Sequence, residues 1–188
     1  MKRAPHAAIV LLLALAALGA GACGNREEVR TVAETEGPYL DVGHLQYQVQ
    51  ISRQLNPADD EDREFLEGVA PEEAALGRDE TWFAIFIRVS NDGEESHPSA
   101  RDFEIEDTLK QTFEPVPVRT SNPFAYRPEE IPAGGVFPTP DSAAGNHPIA
   151  GSLLLFKLPY ETLANRPLEF RIHSPRVPQT EAVVDLDV

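Results

Sequence analysis

Trp82 to Val89 is a run in which Phe83, Ile85, Ile87 and Val89 fall on one side of an extended chain and Trp82, Ala84 and Phe86 on the other, so both sides are apolar. Such a strand needs neighbours along both edges and cover above and below, which places it in the centre of a fold. A second segment reads differently. Leu45, Tyr47, Val49 and Ile51 alternate with Gln46, Gln48, Gln50 and Ser52, a period of two that puts four apolar groups on one face of a half-buried strand. After Val89, Asn91-Asp92-Gly93 supplies turn residues that tolerate positive φ, and Phe103 with Ile105 alternates against Asp102, Glu104 and Glu106. Thr112 to Val118, Ser152 to Leu158, Leu168 to His173 and Glu181 to Leu186 are further strand candidates, seven in all. Seventeen prolines oppose long helices. The pattern predicts an all-β chain, a β-sandwich of about seven strands with long loops and one or two short helical turns.

Two connections are long. In the first, Gln54 to Glu80, Asn56-Pro57 is placed to cap and start a short acidic helix through Leu66, with Phe65 and Leu66 pinning it to the sandwich, and Pro71 to Leu76 to add another turn. In the second, Arg119 to Gly151, Phe124, Tyr126 and Phe137 are expected to pack back over the domain edge. Long ordered loops are where function is commonly placed.

The N-terminus has the layout of an export signal. Lys2 and Arg3 precede a twelve-residue apolar run, Ala7 to Leu18, followed by small residues. Twelve residues fall short of the roughly 20 that span a bilayer as a helix. The one cysteine of the chain follows directly, in Leu18-Gly19-Ala20-Gly21-Ala22-Cys23. This segment resembles the lipobox of bacterial lipoproteins, with Ala20 standing where that motif usually carries Leu. The resemblance implies cleavage before Cys23 and lipidation of its thiol. Ordinary cleavage at the same Ala-Gly-Ala site, leaving a soluble protein with a free thiol, is the alternative. Two or three acyl chains would anchor stably, at about 0.8 kcal/mol per buried methylene. The expected organisation is a signal peptide (1–22), a lipidated N-terminus and flexible tether (23–38), and one folded domain (39–188), located at the extracytoplasmic face of a bacterial membrane.

Removing residues 1–22 takes Lys2 and Arg3 from a chain of net charge −15 and leaves −17. Phosphate recognition needs clustered Lys and Arg, so nucleic acid is excluded as a partner. An anionic bilayer also repels this surface, which leaves the lipid as the means of membrane attachment.

The run from Trp82 through Asn91-Asp92-Gly93-Glu94-Glu95, followed by Asp102-Phe103-Glu104-Ile105-Glu106-Asp107, resembles the exported immunoglobulin-like domains called DUF4352 or telokin-like, whose apolar strand ends in Val-x-Asn-x-Gly. Gly151 to Pro159 and Leu168 to Ile172 resemble later strands of the same family. The resemblance covers roughly residues 39–174 and implies an immunoglobulin-like sandwich. It brings no catalytic residues, because relatives are typically bacterial lipoproteins without assigned activity.

Chemistry is hard to find. No G-x-S-x-G, Walker or G-x-G-x-x-G pattern occurs, and His6, His44, His97, His147 and His173 have no metal-site spacing. The acidic stretch is the one candidate. Between Gln54 and Glu80, ten acids stand against Arg63 and Arg78, a net −8. Asp59, Asp60, Asp62 and Glu64 are the candidate calcium ligands, although the run lacks the glycine and alternate spacing of an EF-hand loop, and acids in a helix's first turn are favoured by its dipole. Three classes follow: a noncatalytic binding or scaffolding module facing an envelope protein or wall component, a calcium-dependent module, and an enzyme of a kind the sequence does not reveal.

Overall fold

The computed structural model describes residues 29–176 and 179–188. In chain order the elements are β1 (Val32–Ala33), β2 (Tyr39–Val42), β3 (Leu45–Leu55), α1 (Asp60–Leu66), β4 (Glu80–Ser90), β5 (His97–Pro98), β6 (Asp102–Glu106), β7 (Thr112–Phe113), β8 (Glu130–Ile131), β9 (Val136–Phe137), α2 (Ala143–Asn146), β10 (Ser152–Pro159), a 3-10 turn (Thr162–Ala164), β11 (Glu169–His173) and β12 (Glu181–Asp185). A front sheet has the order β1-β12-β11-β6-β7. A back sheet follows the path β10-β4-β3-β2, with β9 paired to the end of β4, and β5 and β8 form a separate ribbon. Between the sheets lies a core that includes Tyr47, Phe83, Ile85, Ile105, Phe156 and Phe170. The chain is an all-β sandwich, and among the described residues seven strands run to four residues or more.

β4 occupies the place its sequence predicts, hydrogen-bonded to β3 on one edge and β10 on the other. Every residue from Trp82 to Ile87 is buried. Phe83, Ile85, Ile87 and Val89 enter the core between the sheets, while Trp82, Ala84 and Phe86 join Leu55, Phe65, Leu153 and Leu155 in a second cluster on the outer face of the back sheet. Among the described residues the front sheet has no such cover at its centre. There Glu106, Glu169 and Glu181 surround Arg171.

β3 departs from the strict alternation read in its sequence. The register against β4 shifts between Val49 and Ile51, a bulge that reverses which side chains face inward. Ile51, expected on the core face, is 36% exposed, and Ser52 is 6% exposed. Beyond the bulge Leu55 joins the outer cluster and the Arg53 guanidinium lies 5.9 Å from the Phe65 ring centroid. The bulge thus turns the end of β3 toward the helix that covers the back sheet.

Other expectations are corrected. The tether expected over residues 24–38 does not hold for its later part. Val32–Ala33 pairs in parallel with β12, Gly37 N–H donates to the Val49 carbonyl at 3.0 Å, and the Glu36 carboxylate accepts from Ser52 and from Asp187 N–H. Tyr39–Val42 is a further strand, joined to β3 by Gly43 (φ 60°) and His44 (φ 72°), both in the left-handed region as a two-residue type I′ hairpin requires. The Thr112 to Val118 candidate yields only the two-residue β7. Pro115 and Pro117 cannot donate to a ladder, and Val116 N–H donates instead to Leu155 on the open edge of β10, at 2.6 Å. The turn after β4 does not use positive φ at Asn91 or Gly93. Asn91 is buried, donates to the carbonyls of Glu95 and Ile131, and accepts from Gly93 N–H.

Two tyrosines fasten the β5–β6 connection to the core. The Tyr47 hydroxyl accepts from Ala100 N–H at 2.7 Å, and the Tyr126 hydroxyl donates to the Ala100 carbonyl at 2.8 Å. Burial pushes the Tyr47 phenol up from 10.0 to about 12, against the opposing pull of the Ala100 hydrogen bond. Burial raises the Tyr126 phenol as well, and the neighbouring Tyr47 adds to it. A raised folded pKa means stabilisation that is complete below pH 10.0 and is lost as pH rises through about 12. In an alkaline titration the Tyr47 phenolate absorbance should therefore appear together with loss of β-sheet circular dichroism. Phenolate absorbance that forms on an intact sheet at pH near 10.0 and is removed by Tyr47→Phe would contradict this assignment.

Urea denaturation tests the core and the bulge together. Phe83→Ala and Phe156→Ala should each cost about 3–5 kcal/mol, whereas Ile51→Thr should stay within about 0.5 kcal/mol of the parent. A large loss at Ile51 would mean that the alternation runs unbroken.

Candidate functional site

Both long loops converge on the outer face of the back sheet. α1 begins at Asp60 and not, as the sequence suggests, at Asn56-Pro57. Asp59 is its N-cap, accepting from Glu61 N–H at 3.0 Å and Asp62 N–H at 3.2 Å, and Asn56 makes an Asx turn with Ala58 N–H at 3.0 Å. Phe65 is fully buried, edge-on to Phe86 at 4.9 Å and to Phe124 at 5.1 Å. The expectation that Phe65 and Leu66 pin the helix to the sandwich is met.

The second loop closes the end of this helix. Asn122 is buried; its amide donates to the carbonyls of Phe65 at 3.0 Å and Glu67 at 2.8 Å, two of the acceptors a helix leaves open at its C-terminus, and its oxygen accepts from Phe124 N–H at 2.8 Å. No sequence pattern announces such a contact between residues nearly sixty apart. Phe124 packs in the outer cluster and half-buried Phe137 packs against the main core, while Tyr126 is buried within that core, deeper than the domain edge where it was expected.

The candidate calcium ligands do not converge. Asp59 is spent on the helix cap. Asp60 is 90% exposed and pairs with Arg63. Asp62 is 7% exposed, pairs with Arg53, and accepts from Asn56 N–H at 2.7 Å. Glu64 is exposed. Among the described residues, no three His, Cys, Asp or Glu side chains are grouped so as to hold a metal ion. Asp62 serves as a structural anchor between β3 and α1. Cys23, the predicted lipidation residue, lies outside the described residues.

Two concave surfaces lie near opposite ends of the back sheet. The first is a groove of about 230 Å³ lined by Pro57, Leu66, Val69, Ala74, Leu76 and Trp82. Lys157 lies 5.4 Å from the Trp82 ring centroid while pairing with Glu73 at 3.0 Å. The second cavity, of about 600 Å³, gathers Val29, Gly43, His44, Asp92, Ser174 and Arg176 among its lining. His44 stacks on His97, with centroids 5.0 Å apart. His97 is 7% exposed and its Nδ1 has no hydrogen-bond partner. His147 packs edge-on to Phe65 and Phe124, and His173 sits on the polar face of β11 between Glu104 and Glu181. No helix among the described residues is long and apolar enough to cross a membrane.

No family model matches the sequence. No curated protein matches it either. The fold is similar to that of the yjhA protein from Bacillus subtilis, with TM-score 0.54 and 14% identity over 82% of this chain and 99% of that one. A β-sandwich protein from Clostridium difficile aligns with TM-score 0.45 and 10% identity over 87% of this chain and 99% of that one. The ycdA protein of Bacillus subtilis, provisionally named a lipoprotein, aligns with TM-score 0.45 and 9% identity over 79% of this chain and 38% of that one. At such identities likeness is a matter of fold, and the class that the facing sheets define is the all-β sandwich.

Removing either anchor of α1 should be costly. Asn122→Ala leaves buried carbonyls without a donor and should lower stability by about 1–3 kcal/mol. Asp62→Asn should also lower the melting temperature, whereas Asp60→Asn should leave it unchanged with or without calcium. A calcium-dependent rise in melting temperature that both Asp60→Asn and Asp62→Asn abolish would restore the metal reading.

Proposed function

We propose that this chain is held at the extracytoplasmic face of a bacterial membrane by a lipid on Cys23 and presents a noncatalytic β-sandwich that binds or scaffolds an envelope protein or wall component. The observation that carries the reading is where the chain enters the fold. Arg30 N–H donates to the Asp41 carboxylate at 2.7 Å and Asp41 N–H to the Arg30 carbonyl at 2.6 Å, while Val29 and Thr31 line the cavity beside Gly43, His44 and Asp92. The domain is thus tied down at one end, within six residues of Cys23. Six residues span at most about 20 Å, so an anchor at Cys23 would hold the Gly43–Asp92 end close to the headgroups and leave the Trp82 end pointing outward, about 30 Å further along β4 at roughly 3.3 Å per residue.

Charge supports the same orientation, because the stretch with net −8 lies at the end away from the anchor, where an anionic bilayer repels it least. The buried side chains of Asn91, Asn122 and Tyr47 spend their hydrogen bonds on backbone groups, which favours a structural role for them over catalysis. In the same reading the domain belongs with the exported DUF4352 or telokin-like domains. The buried strand ending in Val89-Ser90-Asn91-Asp92-Gly93, closed by the Asn91 side chain, supports that kinship.

Fractionation of native cells tests the anchor. The wild-type chain should sediment with membranes, its N-terminal peptide should carry thioether-linked diacylglycerol on Cys23, and Cys23→Ala should accumulate as uncut precursor. An unmodified Cys23 peptide recovered from the soluble fraction would overturn the reading.

A further inference from the structure

The groove over Trp82 is apolar and open. Pro57 and Ala74 are exposed, and Leu66, Val69 and Leu76 are half-buried around it. We propose that it docks a basic segment of an envelope partner protein, with one apolar side chain of that segment seated between Leu66, Ala74 and Leu76. This rests on the binding-module reading above. At about 230 Å³ the groove falls below the roughly 300 Å³ at which small-molecule sites begin. It has room for one side chain projecting from an extended segment.

Charge specifies the rest of the occupant. Lys157 is committed to Glu73 and Arg63 to Asp60. Glu64, Glu67, Glu72 and Asp79 are exposed and, among the described residues, have no ion-pair partner; they outnumber the nearby Arg78 and Arg119, the latter against Gly68, which have none either. Acids that the fold leaves unneutralised around an apolar slot match Lys or Arg flanking an apolar residue, and their field would speed the approach of such a segment. A second copy of this chain would bring the same acids to the same face, and an anionic lipid surface would be repelled by them. The groove also lies at the end of the sandwich away from the anchor, where a partner has access.

The chain has one tryptophan, so its indole N–H gives a single nuclear magnetic resonance signal, sited at the groove floor. The mature chain from residue 23, carrying Cys23→Ser to keep it in solution, is titrated with a pentapeptide amide in which two lysines flank a central leucine on each side. The indole signal should move saturably. Ala74→Arg, which fills the groove at an exposed position, should abolish the movement, and Glu67→Lys with Glu72→Lys should weaken binding about tenfold, equivalent to about 1.4 kcal/mol. The same peptide with central alanine should leave the indole in place. An indole signal that does not move although the spectrum is that of a folded protein, or that moves equally with the alanine peptide, would overturn the proposal, as would dimers in sedimentation that Ala74→Arg dissociates. Fractionation of the Cys23 chain is indifferent to the groove, so failure here would leave the anchor standing, and failure there would leave the groove standing.

Discussion

The rest of the structure depends on the burial of β4 on both faces. An apolar strand with Trp82, Phe83, Ile85, Phe86 and Ile87 all out of water can be satisfied only if its backbone is paired along both edges and its side chains are covered from both sides. The front sheet supplies one cover. The β5–β8 ribbon adds no residue to the outer cluster, so the long connections and β10 supply the other: α1 brings Phe65, the second loop brings Phe124, and β10 adds Leu153 and Leu155. The two loops that look like functional ornaments in the sequence are in the first place a lid on the outer face of β4.

Such a lid is made of loop and short helix, and its backbone polar groups need partners that a sheet would provide automatically. Buried Asn122 answers for the end of α1, Asp62 ties its start to Arg53 and Asn56, and Asn91 with the pair Tyr47 and Tyr126 does the same work at the opposite end of the sandwich. These few polar side chains bind loop to sheet at named atoms. They leave the Trp82 groove as the seam where the lid does not close fully over the sheet.

The sequence made the strands legible where burial alternates with period two, as in β6, β11 and β12, or covers both faces of a continuous apolar run, as in β4 and β10. It misled at Ile51, because one bulged residue reverses every later side chain while leaving the local pattern of apolar and polar residues intact. It hid Val32–Ala33 and Tyr39–Val42, which are too short to show periodicity; the first is held by β12, and the chain beside it by Glu36 with Asp187, far along the sequence. At the candidate site, composition exposed the acidity of the 54–80 stretch but not its distribution. Which carboxylates become a helix cap, a buried ion pair or an unneutralised rim is decided by Arg53 and the fold, and no spacing rule reports that. The groove itself joins residues from Pro57 to Trp82 around a helix whose start was misplaced, so it could not be foreseen.

Native-state hydrogen exchange measures the central claim most directly, because amides that open only when the whole domain unfolds identify the element on which the fold depends. If β4 is that element, the amides from Phe83 to Ile87 should share the highest protection in the chain and open at the free energy of global unfolding, while those of α1 open earlier, as a lid should. Amides of Phe83 to Ile87 that exchange faster than those of Phe170 to Ile172 in the front sheet would contradict the account.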